Sequence, residues 1–169
     1  MQIFSYLNLK ELDLFSGEDL KTLEKLIDKI TENDVKEEIC EVANLVALSD
    51  YSQLSEYTKI IDSIENVYIK GVVSLGVRGI TEYEDSLLST YIGLIKDTED
   101  EDVKGVLGMG VQELVKSDYS QIENYVNLMS RIKDEKYKFV VSLGLKGVAE
   151  FDNSMVGEYI QLINKCQDL

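Results

Sequence analysis

Tyrosine stands at Tyr57, Tyr91, Tyr125 and Tyr159, each 34 residues after the last, and its neighbours repeat with it. A fixed period of that length marks one helix pair copied along the chain, each copy able to bury its apolar face only against its neighbours. At this offset Ser52 aligns with Ser86, Ser120 and Ser154, Leu54 with Leu88, Ile122 and Val156, and Ile60 with Leu94, Leu128 and Leu162. In the second half of the unit Val73 aligns with Leu107 and Val141, and Gly76 with Gly110 and Gly144. Residues 51–84 and 119–152 share 13 identities in 34 aligned pairs, so the repeat is not a chance match. Residues 17–50 keep the register more loosely, through Leu23, Ile27, Ile39 and Val46. The chain therefore divides into a leading helix at 1–16, repeats at 17–50, 51–84, 85–118 and 119–152, and a terminal half repeat at 153–169, all within one domain. In the leading helix Leu7, Leu9, Leu12 and Leu14 cover the first unit.

Each unit reads as two helices. Apolar residues at 54, 57, 60, 61 and 64 share one helical face, as do those at 69, 72, 73, 76, 77 and 80, and no unit alternates with the period of a strand. Ser120 followed by Glu123 has the spacing of a capping box, and Ser16 with Asp19 is a weaker version. Polar clusters such as Thr31 to Asp34 and Lys133 to Glu135 mark the reversals between helices. The expected fold is all-α, about four and a half stacked antiparallel helix pairs. Glycine costs about 1 kcal/mol against alanine inside a helix. Its return at Gly76, Gly110 and Gly144 therefore predicts close approach by the first helix of the same or the next unit. A phosphate-cradling loop is excluded, because Gly105, Gly108 and Gly110 fall within a predicted helix.

A content of 44% hydrophobic residues supplies a continuous core. The segment from Met1 to Phe15 lacks the pattern of a secretory signal, and no apolar run approaches a membrane span of roughly 18 residues. The expectation is a soluble cytoplasmic protein. Cys40 and Cys166 fall at small and apolar register positions near opposite ends of the stack, and read as core fillers without disulfide or zinc. The chain has no histidine, so a serine or cysteine nucleophile lacks its usual activating base. The reading is a protein that is not an enzyme and carries no cofactor.

Charge is the second constraint. With 17 basic and 32 acidic residues the net charge is −15, which repels nucleic-acid phosphates and attracts basic surfaces. The acids gather at Asp97, Glu99, Asp100, Glu101 and Asp102, where a solvated face and an anionic docking surface are both open readings. A calcium loop at Asp97, Glu99 and Glu101 fails, because the sixth position is not glycine and the twelfth is Gly108. Against this background lysine recurs at Lys36, Lys70, Lys104 and Lys138, with Arg78 and Lys146 two turns further on. Either each lysine pairs with an acidic turn, as Lys104 with Asp100, or the row is a free cationic strip on the second helices.

The 34-residue unit of two amphipathic helices resembles the α-solenoid superfamily of helical repeats. The period matches tetratricopeptide repeats, but Lys70, Ser74 and Glu82 stand where their alanine, phenylalanine and closing proline belong, so the likeness is to HEAT-like stacked helix pairs. The resemblance implies a curved scaffold that binds other macromolecules, usually proteins. Candidate contact residues are the second-helix positions Lys70, Ser74, Arg78, Lys104, Gln112, Lys138, Ser142 and Lys146, expected to be exposed, together with the acidic cluster from Asp97 to Asp102. The partner is expected to be a protein with a basic or mixed-charge surface, with no direct nucleic acid and no membrane. Two alternatives stay open: an acidic mimic of nucleic acid that inhibits a nucleic-acid-binding enzyme, and a self-assembling structural protein. The end near Leu169 offers a homodimer contact.

Overall fold

Helix follows helix throughout the computed structural model, which describes residues 2–7 and 9–166, without the side chains of 2, 4, 9 and 10. After a 3₁₀ turn at Gln2–Ser5 come α1 (Leu9–Leu12), α2 (Gly17–Asp28) and α3 (Asn33–Asp50). Then short and long helices alternate: α4 (Leu54–Ser63), α5 (Val67–Tyr83), α6 (Leu88–Asp97), α7 (Glu101–Ser117), α8 (Ile122–Arg131), α9 (Glu135–Phe151) and α10 (Val156–Asn164). No strand occurs among the described residues. Each short helix from α4 onward is preceded by a 3₁₀ turn, at Tyr51–Gln53, Asp85–Leu87, Tyr119–Gln121 and Asn153–Met155.

The long helices pack on one another in the order α3, α5, α7, α9, and the short ones in the order α2, α4, α6, α8, α10. One apolar core runs between the two rows from Ile3 to Ile160. The expected leading helix is instead two short pieces, Gln2–Ser5 and Leu9–Leu12, and Ile3 in the first, with Leu7 and Phe15 outside both, is buried in the common core. Met1, Asn8, the Leu9 side chain and residues 167–169, which belonged to the expected leading helix and terminal half repeat, lie outside what is described.

Local chemistry explains where the helices begin. Ser16 Oγ accepts the Asp19 amide at 3.1 Å and so caps α2, as the sequence implies. The Ser120 capping box does not form. Asp118 precedes it, and Ser120 donates both its amide, at 3.2 Å, and its hydroxyl, at 2.5 Å, to that carboxylate. The same motif holds Ser52 on Asp50 and Ser154 on Asp152, and it shapes the 3₁₀ turn rather than the helix cap. Asn66, Asp100 and Asp134 cap α5, α7 and α9 through their side chains.

The glycines admit a side chain from the next helix pair. A methyl group on Gly110 would overlap the Tyr125 hydroxyl and ring, one on Gly144 the Tyr159 hydroxyl, and one on Gly76 would lie 2.5 Å from the Tyr91 hydroxyl. None of the described glycines adopts positive φ, so space and not backbone conformation selects them. At α5 and α7 the approach is closer still: a Cβ on Gly108 would lie 2.6 Å from the Val72 carbonyl oxygen, and one on Gly76 2.7 Å from the Gly108 Cα.

Gly110→Ala is accordingly expected to lower stability by about 1–3 kcal/mol, since the Tyr125 ring must move. Gly93→Ala is the control, because nothing lies within 4 Å of that position in α6, and it should stabilise by up to about 1 kcal/mol. Urea unfolding of the two variants measures both.

Candidate functional site

The recurring lysines are not a surface strip. Lys36, Lys70, Lys104 and Lys138 are only 6–8% exposed. Lys70 Nζ donates to the Ile61 carbonyl at 2.5 Å, and Lys104 Nζ to the Ile95 carbonyl at 2.8 Å. These carbonyls lie in the last turns of α4 and α6, where the helix dipole is negative, and each also accepts a backbone amide, from Ile64 at 3.3 Å and from Thr98 at 3.2 Å. Lys70 and Lys104 thus each reach back to the end of the preceding short helix, while Lys36 and Lys138 share their burial. The pairing of Lys104 with Asp100 considered from sequence is replaced by this carbonyl contact. The expectation that Lys70, Lys104 and Lys138 are exposed contacts is corrected.

The same correction applies to Ser74 and Ser142. Both are buried, and their hydroxyls lie 2.8 and 2.9 Å from those of Tyr57 and Tyr125. Tyr125 also reaches the Leu107 carbonyl at 3.3 Å, and Tyr159 the Val141 carbonyl at 3.0 Å. Tyr91 differs: Gly108 stands where the others have serine, and its fully buried hydroxyl has no partner. Burial raises all three phenols, Tyr57, Tyr91 and Tyr125, above their ordinary value of 10.0, with the serine bonds opposing the shift at Tyr57 and Tyr125.

Of the other second-helix candidates, Arg78 is half-buried and held by Glu38, at 2.7 Å through Nε, and by Glu41, with Glu82 at 3.5 Å. These carboxylates on α3 raise its already high pKa further. Gln112 Nε2 donates to the Val72 carbonyl at 3.5 Å, and Lys146 stands 3.8 Å from Glu150. Arg78 and Gln112 thus bridge long helices; Lys146 pairs along α9.

The acidic cluster divides in two. Asp100 caps α7, and Glu101 accepts the amides of Glu65 and Asn66 at 2.9 and 3.2 Å. Glu135 repeats that contact one turn along, accepting Glu99 and Asp100 amides at 2.5 and 3.1 Å. These carboxylates fasten one interhelical turn to the next. Asp97, Glu99 and Asp102 keep exposed side chains. No group of three or more metal-ligating side chains is arranged to hold an ion among the described residues.

What the surface offers is a groove across the N-terminal ends of α5, α7 and α9. One hollow of about 640 Å³ is lined by Asp100, Asp102, Asp134, Glu135, Phe139 and Val140, among others. An adjoining hollow of about 280 Å³ shares Asp102 and Phe139 and adds Tyr68, Val72, Val106 and Met109. The floor is apolar and the rim acidic, with Lys136 the one cation lining either hollow. Of the sequence candidates, this groove brings together Asp100 and Asp102. Its apolar floor went unpredicted, although doubled apolar positions at 72–73, 106–107 and 140–141 widen the stripe beyond what one buried face needs.

Cys40 is buried, and burial with nearby Glu11 and Glu41 pushes its thiol up to about 12. Cys166 is exposed, not a core filler: it follows the end of α10, and no described helix covers its position. None of the described helices is long and apolar enough to cross a membrane. No family model matches the chain, and neither a curated protein nor a solved structure is similar to it.

Two predictions follow from the buried hydroxyls and ammonium groups. Tyr91→Phe should leave stability unchanged or raise it by about 1 kcal/mol, because the lost hydroxyl was desolvated without a partner. Tyr57→Phe should lower stability by about 0.5–1.5 kcal/mol, as read by denaturant midpoints. The folded chain keeps the phenolic protons of Tyr57, Tyr91 and Tyr125 after the unfolded chain releases them near 10.0. Stability must then fall as pH rises above that value, by about 1.4 kcal/mol per pH unit for each phenol. Lys70 and Lys104, whose charged forms burial disfavours, act in the opposite sense up to 10.5, so the decline should steepen above 10.5 in a pH series of unfolding curves.

Proposed function

We propose that the chain is an α-solenoid with a 34-residue unit, similar to HEAT-like repeats. In this reading it is a non-catalytic cytoplasmic scaffold that binds a protein partner carrying a basic, apolar segment. The observation that carries this reading is the groove across α5, α7 and α9, whose apolar floor lies beneath Asp100, Asp102 and Asp134 in a chain of net charge −15. Apolar burial on the floor supplies affinity, and the acidic rim selects and steers a cationic partner. Fixed helices reduce the ordering needed on binding. The internal use of Lys70, Lys104 and Lys138 removes them from the contact surface and leaves the groove almost purely anionic.

That last observation also favours a second reading, an acidic mimic of nucleic acid acting on a cationic enzyme. The buried lysines do not interrupt an anionic track as exposed ones would. One titration separates the two. A fluorescent peptide of alternating leucine and arginine should bind with a salt-weakened affinity. Asp102→Lys with Met109→Glu should weaken it at least tenfold, and Lys146→Ala should leave it unchanged. Equal binding by the groove variant contradicts the scaffold reading, while loss of a DNA-binding enzyme's inhibition on addition of competing duplex would support the mimic.

A further inference from the structure

The last helix pair exposes what its counterparts bury. Leu162 is 62% exposed, whereas Leu128, one unit earlier, is 1% exposed; Val140 is 63% exposed, and its counterpart Val106 6%. Phe151, at the end of α9, is 94% exposed, while Tyr83 at the same position of α5 is 45% exposed and has the tilted Tyr119 ring against it, centroids 5.5 Å apart. Beside Phe151, α9, α10 and the turn between them enclose a hollow of about 580 Å³ lined by Val148, Met155, Tyr159 and Leu162, with Glu158 and Lys165 at its edge. At the opposite end Ile3, Leu7 and Phe15 are buried.

Charge follows the same division. Residues 131–169 hold six basic and six acidic side chains, so the whole net charge of −15 resides in residues 1–130. A second copy can therefore approach this end without net charge repulsion from the segment itself. The register supplies the shape, since this face carries positions that each earlier pair uses to bury its successor.

We propose that this end is a self-docking face. Two copies meet tail to tail across a twofold axis, the Phe151 ring of each seated in the hollow of the other. A knob and a hole on one patch make the contact self-complementary and closed, as an isologous interface requires.

Sedimentation of the full chain up to high-micromolar concentration tests this. The expected species is a dimer of twice the 19.1 kDa chain mass, no weaker at high salt. Phe151→Glu with Leu162→Glu should give a monomer with the helical circular dichroism and melting temperature of the dissociated parent, both side chains being exposed already. A parent that is monomeric throughout, assembly beyond two copies, dissociation by salt, or a dimer indifferent to the two substitutions would each overturn the proposal. Loss of peptide binding in the groove leaves this result unaffected, so the two readings fail separately.

Discussion

Everything in this structure depends on a tyrosine entering the space left by a glycine of the preceding helix pair. Tyr91, Tyr125 and Tyr159, on the short helices α6, α8 and α10, sit over Gly76, Gly110 and Gly144, so each short helix meets the preceding long helix through a phenol against bare backbone. Neither residue type explains the contact alone. Glycine weakens each long helix locally, and tyrosine brings a hydroxyl that needs a partner once desolvated. Serine on the following long helix supplies that partner at Tyr57 and Tyr125. Where α5 and α7 approach most closely, a serine would collide with the Val72 carbonyl. Glycine replaces it there, and the Tyr91 hydroxyl is left unpaired. Tight packing and polar satisfaction compete at that one place, and packing prevails.

The charged residues divide by the same logic. Several that recur in register work inside the molecule: Lys70 and Lys104 reach the ends of short helices, and Glu101 and Glu135 hold the amides of a neighbouring turn. Others, such as Asp97 and Asp102, stay exposed, and Asp102 lines the groove on the long helices. Exposed ion pairs such as Lys29 with Asp62 contribute little to stability, being solvated and screened.

The helices were legible in the sequence because apolar spacing acts along their whole length, and each helix from α4 onward falls where that spacing places it. The glycines were legible as points of close approach, though the side chain that approaches was not, since a contact between Gly110 and Tyr125 has no local signature. The lysines misled for a physical reason. A charge in a helical pattern reads as surface, whereas a four-carbon stem can lie in the core while its ammonium reaches a carbonyl nine residues back, as from Lys104 to Ile95. Their recurrence was the available signal: a surface charge has no need to return at one register position, and a helix-closing charge does. Ser120 misled similarly, because Asp118 before it competes for the same hydroxyl more closely than Glu123 after it.

A double-mutant cycle between Gly110→Ala and Tyr125→Leu tests the interlock most directly, since leucine lacks the ring atoms that a new methyl group would strike. The account predicts that the alanine penalty seen beside tyrosine largely disappears beside leucine, a coupling of about 1–3 kcal/mol in denaturant unfolding. Additive effects of the two substitutions would mean that tyrosine does not occupy the glycine's space, and would contradict it.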